Sequence, residues 1–162
     1  MNALLLVALM TAAVTSTFDP YTKQTEIQFT QPSPESGYWT KIQSIVTVKD
    51  GKAGVPSVLF TSYNHTWRYL RCQDMKWLAD GEPVETLMTT WDGQVVRKDR
   101  YTSGTLEYVT QLLSLDSFKQ IASAQAVRYR VCGDEYELSP SELAAFADMV
   151  AQVEALTQQP IR

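Results

Sequence analysis

The residues that could carry chemistry are few, and their spacing follows no recognised catalytic pattern. The one histidine, His65, is the side chain best suited to act as a general base at neutral pH. Neither a nucleophile elbow nor a zinc-protease helix motif accompanies it. His65 is therefore a candidate catalytic residue on a predicted turn, and a solvent-exposed turn histidine is the alternative interpretation.

Two cysteines, Cys72 and Cys132, are the other reactive residues. In an exported protein such a pair can close a disulfide, which over a loop of this length stabilises a fold by about 4 kcal/mol in the chain-entropy model. Two free thiols are the alternative. With a single histidine beside them, two cysteines are too few for a closed zinc site unless carboxylates join. We expect neither a metal ion nor a cofactor.

Aromatic side chains are a stronger functional signal. A predicted strand runs from Trp67 to Leu78, and within it Trp67, Tyr69 and Trp77 share one face by alternation. On an exposed face these three would form a platform for another protein or a glycan, and they are the predicted ligand-binding residues. Packing in the core is the alternative. The wider set of aromatic residues near predicted strands is Tyr38, Trp39, Tyr63, Trp67, Tyr69, Trp77 and Trp91.

The N-terminal segment predicts export. Residues 3–14 form a continuous apolar run that is too short to span a bilayer, and small and polar residues follow it. This is the layout of a secretory signal peptide cleaved after Ala13 or Ser16, although no Lys or Arg precedes the run. We expect residues 1–16 to be removed, which leaves a periplasmic or extracellular protein without a stable transmembrane span. A buried first helix or strand is the alternative.

Length and charge restrict the class of protein. A chain of 162 residues that is 44% hydrophobic fits one globular domain, here residues 17–162, with no repeat or linker inside it. The formal net charge of -4 is opposite to the basic surface that nucleic acids require. We therefore expect no nucleic-acid partner.

Turn signals between alternating segments predict the elements that would position these residues. Asp50-Gly51 predicts a turn, and Asp80-Gly81 and Asp92-Gly93 predict two hairpins, because glycine tolerates the positive φ of tight hairpin turns. Several hairpins in succession indicate an antiparallel meander sheet of about seven to nine strands.

A third hairpin is predicted over Val127–Leu138, with Gly133-Asp134 as its two-residue turn. In that register Arg130 lies directly opposite Glu137 and forms a cross-strand ion pair. The aromatic and aliphatic residues of both strands share the opposite face. This face is predicted to contact the core, so that the charges need no ligand to explain them.

Two helices follow from capping signals. Ser114 is a predicted N-cap of a short helix, and Ser139 with Glu142 forms a predicted capping box before an amphipathic C-terminal helix. The predicted fold class is therefore α+β: an antiparallel meander sheet with one short helix and a C-terminal helix packed on it.

Three functions fit these observations. The first is a small exported, non-enzymatic domain that binds another protein or a glycan through its sheet face or edge. The second is an exported hydrolase that uses His65 or a pair of carboxylates in a cleft. The third is an accessory component of an envelope assembly, held at the membrane by an uncleaved N-terminal segment.

Overall fold

The computed structural model describes residues 13–32, 37–97 and 103–158. Within these residues the chain forms eleven strands and two helices. The strands are β1 (Ala13–Asp19), β2 (Gln24–Thr30), β3 (Trp39–Lys49), β4 (Lys52–Ala53), β5 (Ser57–Asn64), β6 (Met75–Ala79), β7 (Glu82–Val84), β8 (Met88–Arg97), β9 (Ser103–Leu112), β10 (Val127–Val131) and β11 (Asp134–Glu137). The helices are α1 (Leu115–Ser123) and α2 (Pro140–Thr157).

The strands form two antiparallel sheets. The larger sheet has seven strands in the order β1-β2-β3-β5-β9-β8, with β4 paired to β3. The smaller sheet has four strands in the order β11-β10-β6-β7. The chain leaves the larger sheet after β5, forms β6 and β7 in the smaller sheet, and returns as the β8–β9 hairpin. The predicted α+β class and antiparallel meander are confirmed.

The core lies between one face of the larger sheet, called the inner face, and two covering elements. Helix α2 covers the β1–β4 side, where Phe146 packs on Phe29 of β2 with ring centroids 5.8 Å apart. The smaller sheet covers the other side, where Phe60 of β5 contacts Tyr69 and Tyr136 at 5.5 and 5.2 Å. Apolar side chains that alternate along the strands thus meet in one buried layer.

Both helices begin at the predicted caps. The Ser114 hydroxyl accepts a hydrogen bond from the backbone N–H of Ser117 at 3.0 Å. At α2 the Ser139 hydroxyl accepts from the Glu142 N–H, and the Glu142 carboxylate accepts from the Ser139 N–H at 2.6 Å. The second Glu142 oxygen accepts from the Gln31 side chain, which ties the start of α2 to the end of β2.

One of the two predicted Asp-Gly hairpins is confirmed and the other is wrong. Asp80 and Gly81 connect β6 to β7 with φ values of 51° and 87°. Asp92 and Gly93 instead lie inside β8, which continues through them. A Cβ atom on Gly93 would lie 2.6 Å from the Trp67 ring, so this glycine allows an indole to approach the sheet closely.

The hairpin of β10 and β11 has a different register from the predicted one. The turn is Cys132-Gly133, with Cys132 at a φ of 58°, and Arg130 lies opposite Glu135 rather than Glu137. The difference between the two registers is two residues, which leaves every side chain on its predicted face. Spacing alone did not identify Cys132 as a turn residue, because non-glycine residues seldom adopt positive φ.

The predicted long strand from Trp67 to Leu78 is wrong over its first half, since β6 begins only at Met75. The buried carboxylate of Glu107 accepts hydrogen bonds from the backbone N–H groups of Arg68 and Tyr69, at 2.8 and 2.9 Å. These N–H groups are therefore satisfied by a side chain rather than by a neighbouring strand, which holds the segment in a turn.

Two findings concern the predicted signal peptide. Residues 1–12 lie outside the described part of the chain, and residues 13–16 form the start of β1, which pairs with β2 from Ala13 opposite Thr30 to Asp19 opposite Gln24. Cleavage after Ser16 would remove four of the seven residues of β1. Removal of residues 1–16 stays a prediction.

The lengths and side chains of α1 and α2 bear on whether either helix could cross a membrane. Neither helix of the described residues is long and apolar enough to cross a bilayer.

Candidate functional site

His65 lies on the exposed loop after β5. Its ring contacts that of Tyr38, with centroids 6.2 Å apart. Among the described residues, none forms a hydrogen bond or an ion pair with the imidazole. His65 therefore has no described acid or hydroxyl partner with which to form a catalytic pair.

The three predicted ligand-binding aromatics lie in two different environments. Trp67 is 36% exposed and packs on Trp91, with ring centroids 5.9 Å apart. Tyr69 and Trp77 are each 1% exposed and belong to the core between the sheets. The structure does not bring the three together on one surface, because the predicted strand that would have aligned them is interrupted by the turn before Met75.

The buried tyrosines between the sheets form a hydrogen-bonded network. The Tyr69 hydroxyl is 2.8 Å from a carboxylate oxygen of Asp134 and 2.9 Å from the Tyr136 hydroxyl, and Arg68 pairs with Asp134 at 2.8 Å. Burial raises the pKa of Tyr69 and of Tyr136 above the ordinary tyrosine value. A raised pKa keeps these phenols protonated, which fits a structural network and not a general base.

Cys72 and Cys132 form a disulfide, with their Cα atoms 5.7 Å apart. The bond joins the turn of the β10–β11 hairpin to the segment that precedes β6. It thereby fixes the smaller sheet at two points that are 60 residues apart in sequence. Of the alternatives left open by the sequence, the disulfide is the one present.

Among the described residues, no group of three or more His, Cys, Asp or Glu side chains is placed to hold a metal ion. The catalytic pair of carboxylates stays a prediction. Asp80 accepts hydrogen bonds from the backbone N–H groups of Gln125 and Ala126, both at 2.9 Å, so its role is structural. Asp99, another of the acidic residues in this part of the sequence, lies outside the described residues.

A different surface has the properties of a binding site: the second face of the larger sheet, called the outer face. Helix α2 and the smaller sheet both pack on the inner face, and no described element of similar size covers the outer one. Its four central rows, read from β3 across β5 and β9 to β8, are Trp39–Tyr63–Leu106–Gln94, Lys41–Thr61–Tyr108–Asp92, Gln43–Leu59–Thr110–Thr90 and Ile45–Ser57–Leu112–Met88. This face mixes apolar, hydroxyl and amide groups and carries few charges.

Aromatic rings gather at one end of the outer face. The Tyr63 ring lies 6.0 Å from both Tyr38 and Trp39, and His65 extends the group beyond Tyr38. We call Tyr38, Trp39, Tyr63 and His65 the aromatic cluster. Tyr38 is 59% exposed, and the interplanar angles between neighbouring rings range from 35° to 52°.

Two neighbours hold the aromatic cluster in place. Gly104 of β9 leaves space for the Tyr63 ring, since a Cβ atom there would lie 2.5 Å from a ring carbon. On the other side the Lys41 ammonium lies 5.5 Å from the centre of the Trp39 ring, within cation–π range. The inner two rings are therefore positioned by the sheet, while Tyr38 projects into solvent.

The aromatic residues near predicted strands include Tyr38, Trp39 and Tyr63, but these three were not among the predicted ligand-binding residues. The signal that groups them is the pairing of Trp39 with Tyr63 across β3 and β5. Alternation along each strand predicts which side chains share a face of one strand. It does not predict which residue lies opposite on the neighbouring strand, and so the cluster was not identified.

Comparisons with known proteins add no assignment. No family model, no curated protein and no solved structure matches this chain.

Proposed function

We propose that this chain is an exported, non-enzymatic domain that binds another protein through the outer face of its larger sheet. The observation that carries the proposal is the aromatic cluster on a sheet face that neither helix nor the smaller sheet covers among the described residues. Large aromatic side chains, Tyr and Trp above all, are the residues that most often dominate the energy of protein interfaces. Exposed groups of large apolar side chains commonly mark interaction sites.

The ring geometry favours a protein partner over a glycan. A sugar ring stacks best on one flat aromatic face, whereas the rings of the cluster are tilted by 35° or more from each other. Tilted rings leave clefts between them that side chains of a partner can fill. The hydroxyl and amide groups in the neighbouring rows would supply hydrogen bonds beside the aromatic cluster.

The disulfide supports export. Disulfides persist in oxidising compartments and are rare in the reducing cytosol. The bond between Cys72 and Cys132 thus agrees with the signal peptide predicted over residues 1–16. We place the domain in the periplasm or outside the cell on these two arguments together.

No specific observation favours the two alternatives. The hydrolase would need either a partner for His65 or a catalytic pair of carboxylates, and the described residues offer His65 only a ring contact with Tyr38. The membrane-retained accessory component would depend on residues 1–12, which lie outside the described part of the chain.

Site-directed photocrosslinking tests the proposal. A photoreactive p-benzoylphenylalanine replaces Tyr38 in the full chain, which is then produced in its own host and irradiated. The matched control carries the same group at Tyr21, an exposed tyrosine (96%) in the turn between β1 and β2. We expect a discrete protein adduct from position 38 that is absent from position 21.

A second variant checks the role of the cluster. With the photoreactive group placed at Met88, at the far corner of the outer face, we expect the adduct to be reduced when Tyr38 is changed to Ala. Unchanged adducts, or the same adducts from position 21, would show that the outer face is not the interface. Circular dichroism melting curves establish that each variant is folded.

A further inference from the structure

A groove on the smaller sheet is a second candidate site, separate from the outer face of the larger one. It encloses about 460 Å³ and is lined by residues of β6, β7, β10 and β11 together with the residues that follow β7. This volume falls in the range of roughly 300–1,000 Å³ that is typical of small-molecule sites. The groove is therefore large enough for a ligand but too small for a folded partner.

The charge lining the groove is opposite to that of the chain as a whole. Lys76, Arg128 and Arg130 outnumber the two acidic residues of the lining, Glu85 and Glu135, whereas the whole chain has a formal net charge of -4. An anion would therefore be attracted to this groove in particular.

Two of these cations lack an anionic partner. Among the described residues, neither Arg128 nor Arg130 forms an ion pair, although acidic residues of β11 lie opposite both. Arg130 also lies directly opposite Lys76 on β6, and like charges in that position destabilise a sheet. Asp74 pairs with Lys76 at 3.3 Å, and Glu135 lies opposite Arg130 without forming an ion pair with it. A bound anion would therefore add an attractive partner for Arg130 that the described residues do not supply.

The spacing of the groups indicates the form of the ligand. Arg128 and Arg130 are two residues apart on one face of β10, about 7 Å along the strand, and a guanidinium binds a carboxylate or a phosphate through two parallel hydrogen bonds. Leu78 lies directly beside Arg128, and Pro83 beside Leu78. The apolar surface formed by Leu78 and Pro83 therefore adjoins the cationic surface formed by the two arginines.

We infer that the groove binds a small amphiphilic anion, with its carboxylate or phosphate head group on Arg128 and Arg130 and its apolar body on Leu78 and Pro83. This site is independent of the protein-binding function proposed above. The disulfide at Cys132 fixes the hairpin that carries both arginines, so the backbone positions of Arg128 and Arg130 keep a constant spacing before any ligand arrives.

Calorimetric titration of the oxidised full chain tests the inference. The probes are decanoate and decyl phosphate below their micelle concentrations, with decanol and inorganic phosphate as the matched fragments. We expect at least one amphiphile to bind about tenfold or more tightly than either fragment, and the tighter of the two identifies the head group. Equal binding of decanol would refute the role of charge, and equal binding of inorganic phosphate would refute the role of the apolar surface.

Charge-neutral variants locate the binding. Exchange of both Arg128→Gln and Arg130→Gln should weaken the amphiphile about tenfold or more, since two charge-assisted contacts are lost. Arg71→Gln is the matched control, because Arg71 is exposed and lies outside the groove. Equal weakening by the control, no weakening by the double variant, or no binding of either amphiphile would overturn the inference. Photocrosslinking from position 38 should be unchanged in the double variant, which separates this site from the proposed interface.

Discussion

The side chain of Gln111 joins the two sheets, and its removal tests how the smaller sheet is held. Gln111 lies on the inner face of β9 and is fully buried. Its carbonyl oxygen accepts from the Trp77 indole N–H at 2.5 Å, and its amide donates to the Met75 carbonyl at 2.8 Å and to the Thr89 hydroxyl at 3.0 Å. One amide therefore satisfies two buried polar groups of β6, which belongs to the other sheet.

We expect Gln111→Leu to lower the free energy of unfolding by about 2–6 kcal/mol. The change leaves the Trp77 N–H and the Met75 carbonyl without partners, and each such buried group costs about 1–3 kcal/mol. Both residues are 1% exposed, so water cannot replace the lost hydrogen bonds.

Urea denaturation of the oxidised chain, followed by tryptophan fluorescence, measures this loss. The matched control is Gln43→Leu, which makes the same exchange on the outer face of the same sheet. The Gln43 amide donates to Thr30 at 3.1 Å on a partly solvated surface, so water can replace this bond and we expect a loss below about 1 kcal/mol. A loss at Gln111 no larger than that at Gln43 would refute the reasoning.

A double-mutant cycle isolates the hydrogen bond between Gln111 and Trp77. Trp77→Phe removes the indole N–H, so that the Gln111 side-chain oxygen has already lost this donor before Gln111 itself is replaced. The combined variant should be more stable than the sum of the single losses predicts, by about 1–3 kcal/mol. Additive losses would mean that the two side chains do not depend on each other, and that the contact between the sheets is mainly apolar.

Three other predictions concern the fold. Replacing both Cys72 and Cys132 by serine should lower the free energy of unfolding by about 4 kcal/mol in urea, since the disulfide closes a long loop in the unfolded chain; an unchanged urea midpoint would contradict this. Burial raises the pKa of Tyr69, Tyr129 and Tyr136 above the ordinary value of about 10, so their contribution to stability is complete below about pH 10 and is lost as the pH rises above it. Tyr69→Phe should make the decline above pH 10 shallower, which urea midpoints measured on either side of about pH 10 would detect. Ser139→Ala should lower the free energy of unfolding by about 0.5–2 kcal/mol, because the α2 cap is lost. We expect the circular dichroism spectrum of the folded variant to be unchanged, and the helical signal to be lost at a lower temperature on heating.

Sequence reasoning succeeded where the structure depends on neighbours along the chain. The caps at Ser114 and Ser139 and the Asp80-Gly81 turn are present as predicted. Each of these features involves residues within a few positions of one another. Local hydrogen bonds and backbone preferences determine them almost independently of the rest of the fold.

Local signals failed where distant groups competed for the same backbone. Glycine favours turns, but Gly93 lies inside β8, where its missing side chain leaves room for the Trp67 ring to pack on the strand. The alternation from Trp67 onward predicts a strand, but the Glu107 carboxylate binds the backbone there. Such long-range contacts outweigh local preferences of about 1 kcal/mol or less.

Adjacent residues were sufficient to predict the α+β class, the two faces of the β10–β11 hairpin and both helix starts, because side-chain period and capping chemistry are local properties. Three features required the tertiary structure: which aromatic rings lie together in solvent, how β10 pairs with β11, and that Arg128 and Arg130 border a groove. The aromatic cluster and the groove depend on register between strands that are far apart in sequence, which packing between whole sheets determines. The register of β10 and β11 depends on which two residues form their turn, and the positive φ of Cys132 is not evident from spacing.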